Sequence, residues 1–294
     1  MEWLFFMVLH SFPLWPHRAL AFTPRIPCAT LGIAPSPHTC VHTQVVRAEA
    51  VGVPADFLLC GDAIIGARYA DEEYEGQAVF TAFALLQASR FLLPLPRRAL
   101  VLGLGAGAVN EALVHAGVPA VDTVELVPEV VEAAAMFFGF QQYPAGIHGS
   151  TTFVRDAAEV LFAEPAYPQG YDLIVHDMYA GANPTALLSQ QLFRRIRDSW
   201  LSERGVLWVN FIGYDSPLRG EKSRVAYPLT KAIVTTLQSL YAEVGVRKPH
   251  TRTMPFLHAR KTYQRHRRAL CPSTSCCPSA YAYYSSQLTF VVSP

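Results

Sequence analysis

Three acidic residues, Glu125, Asp156 and Asp177, each end a short segment whose composition is typical of a β-strand. An earlier apolar segment leads instead into a glycine-rich turn at residues 103–107. In an open parallel sheet the carboxyl ends of the strands meet at one edge, and ligands bind there. Glycine backbone can approach a ligand closely, and a carboxylate can accept hydrogen bonds from two ribose hydroxyls. The pattern therefore predicts a nucleoside-binding site.

The turn and the first acid carry the most specific part of this prediction. The predicted turn residues are Gly103, Gly105 and Gly107. Glu125 follows about 20 residues later, at the end of the next strand, which is the position of a ribose-binding acid. Each feature also has a structural alternative, because a glycine turn can serve packing alone and Glu125 can cap the helix that follows it.

Of the other two acids, Asp156 is a candidate for binding the adenine base of the ligand and Asp177 for taking part in the reaction. Asp156 is followed by the small residue Ala157, so its carboxylate could accept from the exocyclic amine of an adenine that lies flat against the alanine. Asp177 is the candidate for chemistry, because a carboxylate in a cleft can orient an amine or accept its proton during attack. The alternatives are a helix cap at Ala158 for Asp156 and an exposed loop acid for Asp177.

The elements that must position these residues alternate along most of the chain. Predicted strands cover Ala99–Leu102, Val121–Leu126, Thr151–Arg155, Leu173–His176, Val206–Phe211 and Leu288–Val292. Predicted helices cover Ala108–Ala116, Pro128–Phe138, Thr185–Leu201 and Arg224–Ala242. Such alternation predicts an α/β protein with a mostly parallel, Rossmann-like sheet and helices on both faces.

The amino-terminal part divides differently. Residues 1–37 comprise an apolar leader and a proline-rich lead-in, and residues 38–70 predict a β-hairpin module with turns at Gly52-Val53-Pro54 and Gly61-Asp62. A helix is predicted over Asp71–Ser89. The nucleotide-binding domain then spans 71–294 and carries, at 259–287, a basic and cysteine-containing insertion that is expected to be a surface loop or foreign to the fold.

Composition narrows the class of protein. The chain has 294 residues, 51% of them hydrophobic and 16% charged, with a net charge of +1, which argues against disorder and against an extended nucleic-acid surface. The cysteines lack the spacing of a disulfide framework or a zinc site, so no metal is predicted. The leader is too short to span a bilayer as a helix. A cytoplasmic location is slightly favoured over secretion, although Ala19-Leu20-Ala21 has the form of a signal-peptidase site.

From about Thr39 to Gly213, and again at the closing strand, the chain resembles the spermidine synthase superfamily, in its spermidine synthase-like branch. The matching elements are Asp71–Tyr74, Val101–Gly107, Glu125, Asp156-Ala157, Tyr171–Asp177, Leu188–Phe193 and Gly205–Asn210. The resemblance implies a class I methyltransferase-like fold whose last strand is antiparallel. It also implies S-adenosylmethionine or its decarboxylated form as ligand, held by the glycine turn, Glu125 and Asp156.

Several departures from the aminopropyltransferase pattern concern the amine site. Ala106 and Ala180 stand where that pattern has aspartates, Glu75 stands where histidine is common, and a glutamine near Ile65 is absent. Ammonium groups in a partly dry cleft each need an acceptor, because unpaired buried cations are costly. The departures therefore favour methyl transfer, with Asp177 and Tyr74 positioning the acceptor.

Three other functions stay open at this stage. They are an aminopropyltransferase whose altered amine site uses Glu75 and Asp71, a non-catalytic binding member of the superfamily, and a nicotinamide-dependent oxidoreductase. The last is disfavoured because the turn lacks the third-glycine spacing that cradles a pyrophosphate. The predicted partner is a small nucleoside ligand, with an acceptor that the sequence does not identify and a homodimer as one compatible assembly.

Overall fold

The structure is a computed structural model that describes residues 31–32, 43–50, 52–61, 63–92, 94–141, 150–165, 167–178, 188–212, 231–247 and 287–293. Every structural statement below concerns these residues. The predicted apolar leader lies outside them, as does the predicted 259–287 insertion apart from Gln287. Among the described helices, none combines the length and the apolar character needed to cross a membrane.

The first described strands form a small antiparallel sheet. They are β1 (Leu31–Gly32), β2 (Thr43–Ala50), β3 (Val53–Cys60) and β4 (Ala63–Tyr69), in the order β1-β2-β3-β4. Gly52, with a φ of +80°, turns the chain between β2 and β3. The predicted turn was therefore too long, because Val53 and Pro54 already pair with β2. Cys60, at the end of β3, is disulfide-bonded, which the sequence did not predict.

The helix predicted over Asp71–Ser89 was wrong in its first half. The Asp71 carboxylate accepts a hydrogen bond from the amide of Glu73, which caps a single 3-10 turn (Glu72–Tyr74). Gly76 then adopts a φ of +72°, a left-handed backbone that ends helical geometry. The α-helix α1 begins only later (Thr81–Gln87) and continues into a 3-10 turn (Ala88–Phe91).

The second sheet carries the predicted alternation of strands and helices. Its strands are β5 (Arg98–Leu102), β6 (Ala120–Glu125), β7 (Thr152–Val154), β8 (Tyr171–His176), β9 (Leu201–Ile212), β10 (Glu243–Arg247) and β11 (Gln287–Ser293). The accompanying helices are α2 (Ala108–His115), α3 (Pro128–Phe138), α4 (Ala157–Phe162), α5 (Gln190–Arg195) and α6 (residues 231–240). A π-helical turn (Ile196–Trp200) leads from α5 directly into β9.

The order of this seven-stranded sheet is β10-β11-β9-β8-β5-β6-β7. Neighbouring strands from β7 through β6, β5 and β8 to β9 pair in parallel, whereas β11 is antiparallel to both β9 and β10. The predicted mostly parallel sheet with an antiparallel last strand is thus confirmed. The sequence missed β10, a short strand at the edge of the sheet.

The two sheets share one core. Phe57 of β3 and Ile64 of β4 belong to the same buried cluster as Val101 of β5, Val175 of β8 and Trp208 of β9, so the small sheet packs on one face of the large one. Helices α1 and α2 complete this layer, which we call the upper face of the large sheet. Helices α4, α5 and α6 pack on the opposite face, where Leu100, Ile174 and Val209 point. The small sheet therefore lies over the strand ends that bear the predicted site.

Candidate functional site

The glycine turn is wedged between two other segments. Gly103, Gly105 and Gly107 have φ values of +90°, +53° and +81°, a region that disfavours residues with a side chain. A Cβ on Gly103 would collide with the backbone carbonyl of Asp177, and one on Gly105 would collide with the carbonyl of Ile65 in β4. The glycines thus allow the turn to pack closely against its neighbours, which was the structural alternative to ligand binding. The same packing fixes the position of the turn at the carboxyl ends of the strands.

Glu125 is joined to this turn by hydrogen bonds. Its carboxylate accepts from the backbone N–H of Leu104 (3.0 Å) and from that of Val127 (3.0 Å). Val127 is the residue that precedes α3, so Glu125 also helps to cap the start of that helix. Capping was the structural alternative to ribose binding. Burial raises the pKa of Glu125, and the amides of Val127 and Leu104 oppose that rise because they stabilise the charged form. These bonds hold the carboxylate beside the turn, where its remaining lone pairs can accept from ligand hydroxyls.

Asp156 lies at the same sheet edge as Glu125. The two strands β6 and β7 are parallel neighbours, and Glu125 stands opposite Val154, two residues before Asp156. One oxygen of Asp156 accepts from the amide of Ala158 at 2.7 Å, which caps α4. Ala157 begins this helix and is buried. The capping alternative is therefore correct for one oxygen, and the other oxygen is the candidate to bind an adenine amine.

Asp177 follows β8 directly, next to the glycine turn. Its backbone N–H donates to the carbonyl of Leu102 (2.8 Å), which places it beside Gly103. Burial raises the pKa of Asp177 to about 6, and a hydrogen bond from Asn210 partly opposes the rise. The alternative of an exposed loop acid is wrong, because the residue is partly buried and its carboxylate accepts a hydrogen bond from Asn210.

Asn210 is the site residue that the sequence analysis missed. It lies near the end of β9, is 4% exposed, and donates from Nδ2 to Oδ1 of Asp177 at 2.7 Å. The sequence signal for it is weak: an asparagine near the end of an apolar strand segment that follows β8 along the chain. Strands β8 and β9 pair in parallel with His176 opposite Val209. Only this register brings Asp177 and Asn210, the residues that come next along the chain, within hydrogen-bonding distance.

The remaining predicted residues, Tyr74 and Glu75, lie in and just after the 3-10 turn that follows β4. Tyr74 packs against Tyr69 of β4, with ring centroids 5.2 Å apart, and its role toward the acceptor stays a prediction. Glu75 lines a surface groove with Arg90 and Glu111, and the groove does not include Asp177. Among the described residues, no group of three His, Cys, Asp or Glu side chains is arranged to hold a metal ion.

Comparisons with known proteins find curated methyltransferases that match about half of the chain. The human eEF1A lysine and N-terminal methyltransferase is 28% identical to the chain over 155 residues, which cover 49% of this chain and 21% of the human protein. The N-terminal histidine N-methyltransferase of Emericella nidulans is 29% identical over 147 residues, covering 46% of this chain and 25% of that protein. The chain therefore spans about a quarter or less of the length of these curated relatives.

A solved structure extends the likeness to nearly the whole chain. The spermidine synthase of Thermotoga maritima superposes with a TM-score of 0.56 at 13% identity, covering 98% of this chain and 83% of that one. No family model matches the chain. Together the matches establish the predicted class I methyltransferase-like α/β fold, whereas they do not single out the spermidine synthase family within it.

Proposed function

We propose that the chain binds S-adenosylmethionine at the carboxyl edge of its parallel sheet and transfers the methyl group to an amino nitrogen of a protein or peptide. The observation that carries the proposal is the Glu125 carboxylate, held by the amide of Leu104 within the glycine turn. Two relatives are by name methyltransferases of protein nitrogens: the human one is named for a lysine and the N-terminus of eEF1A, and the Emericella nidulans one for a nitrogen of an N-terminal histidine. Both share the methyl-transfer chemistry that the sequence favours.

The described residues fit this ligand. The turn of Gly103 and Gly105 presents backbone without side chains, Glu125 has hydroxyl-accepting lone pairs, and Asp156 has one oxygen that is not used to cap α4. Ala157 adds a small buried surface for a flat base. When bound, S-adenosylmethionine supplies an electrophilic methyl carbon on a sulfonium, so the protein mainly has to align the acceptor with it.

Asp177 is suited to the acceptor side. With a pKa raised to about 6, its carboxylate is ionised at neutral pH and can still take up a proton from an attacking amine. It also lies beside Gly103 through the contact of its backbone carbonyl, so an acceptor nitrogen held by Asp177 is next to the donor site. Tyr74, whose ring packs against Tyr69 of the small sheet, is proposed to help position the acceptor.

Aminopropyl transfer is not favoured by the packing. Ala106, where that chemistry would place a carboxylate, is 7% exposed and packs directly against Gly66 of β4. An aspartate here would bury a charge against backbone, which is expensive without a cation beside it. Glu75, the substitute acid that the sequence suggested, lies in the groove with Arg90 and Glu111 instead.

Calorimetry with S-adenosylmethionine, its decarboxylated form and NAD tests the ligand. We expect S-adenosylmethionine to bind, and Glu125→Gln to weaken its affinity about tenfold or more, because a glutamine cannot accept from two amides and the ribose at once. Glu132→Gln, an exposed glutamate on α3, is the matched control and should bind normally. Binding of the decarboxylated form alone, or of NAD alone, would refute the proposal.

The acceptor is tested by transfer of labelled methyl groups to a pool of peptides with free amino termini and lysines. The expected product is N-methylated peptide, which the wild type should form much faster than Asp177→Asn. The same pool with acetylated amino groups should take up no label. Label on the acetylated pool would exclude an amino nitrogen as the acceptor, and ligand binding without any transfer would favour a non-catalytic binding protein.

A further inference from the structure

Within the described part of the chain, Asn210 has one polar side-chain atom without a hydrogen-bond partner. Its Nδ2 donates to Asp177, whereas its Oδ1 is buried and accepts no hydrogen bond from any residue that the structure describes. A buried carbonyl oxygen without a donor destabilises the folded protein, so such atoms are rare in native structures unless a ligand or water satisfies them. Because both atoms belong to one planar amide, the unpaired oxygen lies within a few ångströms of the Asp177 carboxylate.

The position of Asn210 places this oxygen at the proposed reaction site. Val175 of β8 and Trp208 of β9 belong to one buried cluster on the upper face of the sheet. Side chains alternate along a strand, so Asp177 and Asn210, two residues further on, project toward that same face at the carboxyl edge. The glycine turn adjoins them through the contact between Gly103 and the Asp177 carbonyl.

We infer that Asp177 and Asn210 together form the binding site for the acceptor amino group, with the free carboxylate oxygen of Asp177 and Oδ1 of Asn210 each accepting one N–H bond. The inference rests on the proposed function and adds a residue and a substrate class to it. Asn210 acts as a specificity-determining residue. It favours a nitrogen that carries at least two hydrogens over a hydroxyl, which has one.

The arrangement suits the electron flow of the reaction. With two N–H bonds directed at these oxygens, the nitrogen lone pair is left free to point elsewhere, toward the methyl carbon. The nitrogen–carbon bond forms as the carbon–sulfur bond breaks, and the electron pair of that bond stays on sulfur. The positive charge passes to nitrogen, and the proton it then loses goes to the Asp177 carboxylate and on to solvent.

A binding experiment separates this site from the donor site. The probes are n-butylammonium and its neutral isostere 1-butanol, titrated into protein saturated with S-adenosylhomocysteine. We expect the wild type to prefer the ammonium about tenfold or more, and Asn210→Leu to lose about tenfold of its ammonium affinity with little change for 1-butanol. Leucine has nearly the shape of asparagine but neither donates nor accepts.

Asn110→Leu is the matched control. Asn110 is also 4% exposed, and its Oδ1 has no hydrogen-bond partner among the described residues. Its side-chain amide donates to the hydroxyl of Thr123 rather than to a carboxylate. It should lose stability comparably and keep the ammonium preference. An unchanged preference in Asn210→Leu, or an equal loss in both variants, would overturn the inference.

Two further measurements cover the other outcomes. If Asn210→Leu does not fold, the side-chain amide resonance of Asn210 in the wild type is followed instead, and no shift on adding n-butylammonium would overturn the inference. If S-adenosylhomocysteine fails to bind the wild type, the proposed function fails, and the same titrations on ligand-free protein decide separately whether the amine site exists.

Discussion

Replacing Asp177 by asparagine should stabilise the protein while impairing its activity. Burial raises the pKa of Asp177 to about 6 in the folded protein, compared with 3.8 for an ordinary aspartate. Between these pH values the unfolded chain has lost the proton that the folded protein still holds, so stability falls as the pH rises. The substituted asparagine would have no charge to bury, and its side-chain oxygen could still accept from Asn210.

The size of the effect follows from the pKa difference. At 1.36 kcal/mol per pKa unit, burying the charged Asp177 costs about 3 kcal/mol at pH 7.5 and about 1 kcal/mol at pH 4.5. Asp177→Asn should therefore gain about 3 kcal/mol of unfolding free energy at the higher pH and about 1 kcal/mol at the lower. Methyl transfer should fall about 100-fold or more, as expected when a positioned acid–base group is lost.

Urea unfolding without ligand, followed by the fluorescence of buried Trp200 and Trp208, measures both gains. Asp172→Asn is the control. Asp172 lies near the amino end of β8, the strand that Asp177 follows, and accepts from the backbone amide of Arg97 and the hydroxyl of Ser202. It should show no comparable gain. An equal change at both pH values, or a loss of stability at pH 7.5 in Asp177→Asn, would refute the argument from burial.

Three further changes test the packing and the ligand site. Gly103→Ala should cost about 3 kcal/mol or more in urea unfolding, against about 1 kcal/mol for Gly52→Ala, because both have positive φ but only the first added Cβ strikes backbone; equal costs would contradict this. Because burial raises the pKa of Glu125, the affinity for S-adenosylmethionine measured by calorimetry should weaken as the pH falls from neutral into the acidic range. A constant affinity would count against the ribose role. Tyr171→Phe removes a hydrogen bond to the buried carboxylate of Asp122, far from the carboxyl ends of the strands. It should lower the free energy of unfolding by about 1–3 kcal/mol and leave the ligand affinity unchanged. Weaker ligand binding would show that the two ends of the strands are coupled.

Local patterns predicted the elements where the signals are local. The helix Pro128–Phe138 has the predicted bounds because proline favours its first turn and Gly139, with a φ of +76°, ends it. The same approach failed at Asp71–Ser89, where an acidic first turn suggested a helix but Gly76 interrupted it. It also missed β10, since a short edge strand is stabilised by pairing with β11 rather than by its own composition.

The sequence by itself determined the order of strands and helices and the acids that end three strands, because alternation and strand-end chemistry are properties of consecutive residues. It also determined the class of ligand predicted for that edge. Tertiary structure alone decided that the glycine turn lies against β4 and Asp177, that the turn's amide holds Glu125, and that Asn210 meets Asp177. Asp177 and Asn210 are separated by 33 positions, and only the register between β8 and β9 brings them within hydrogen-bonding distance.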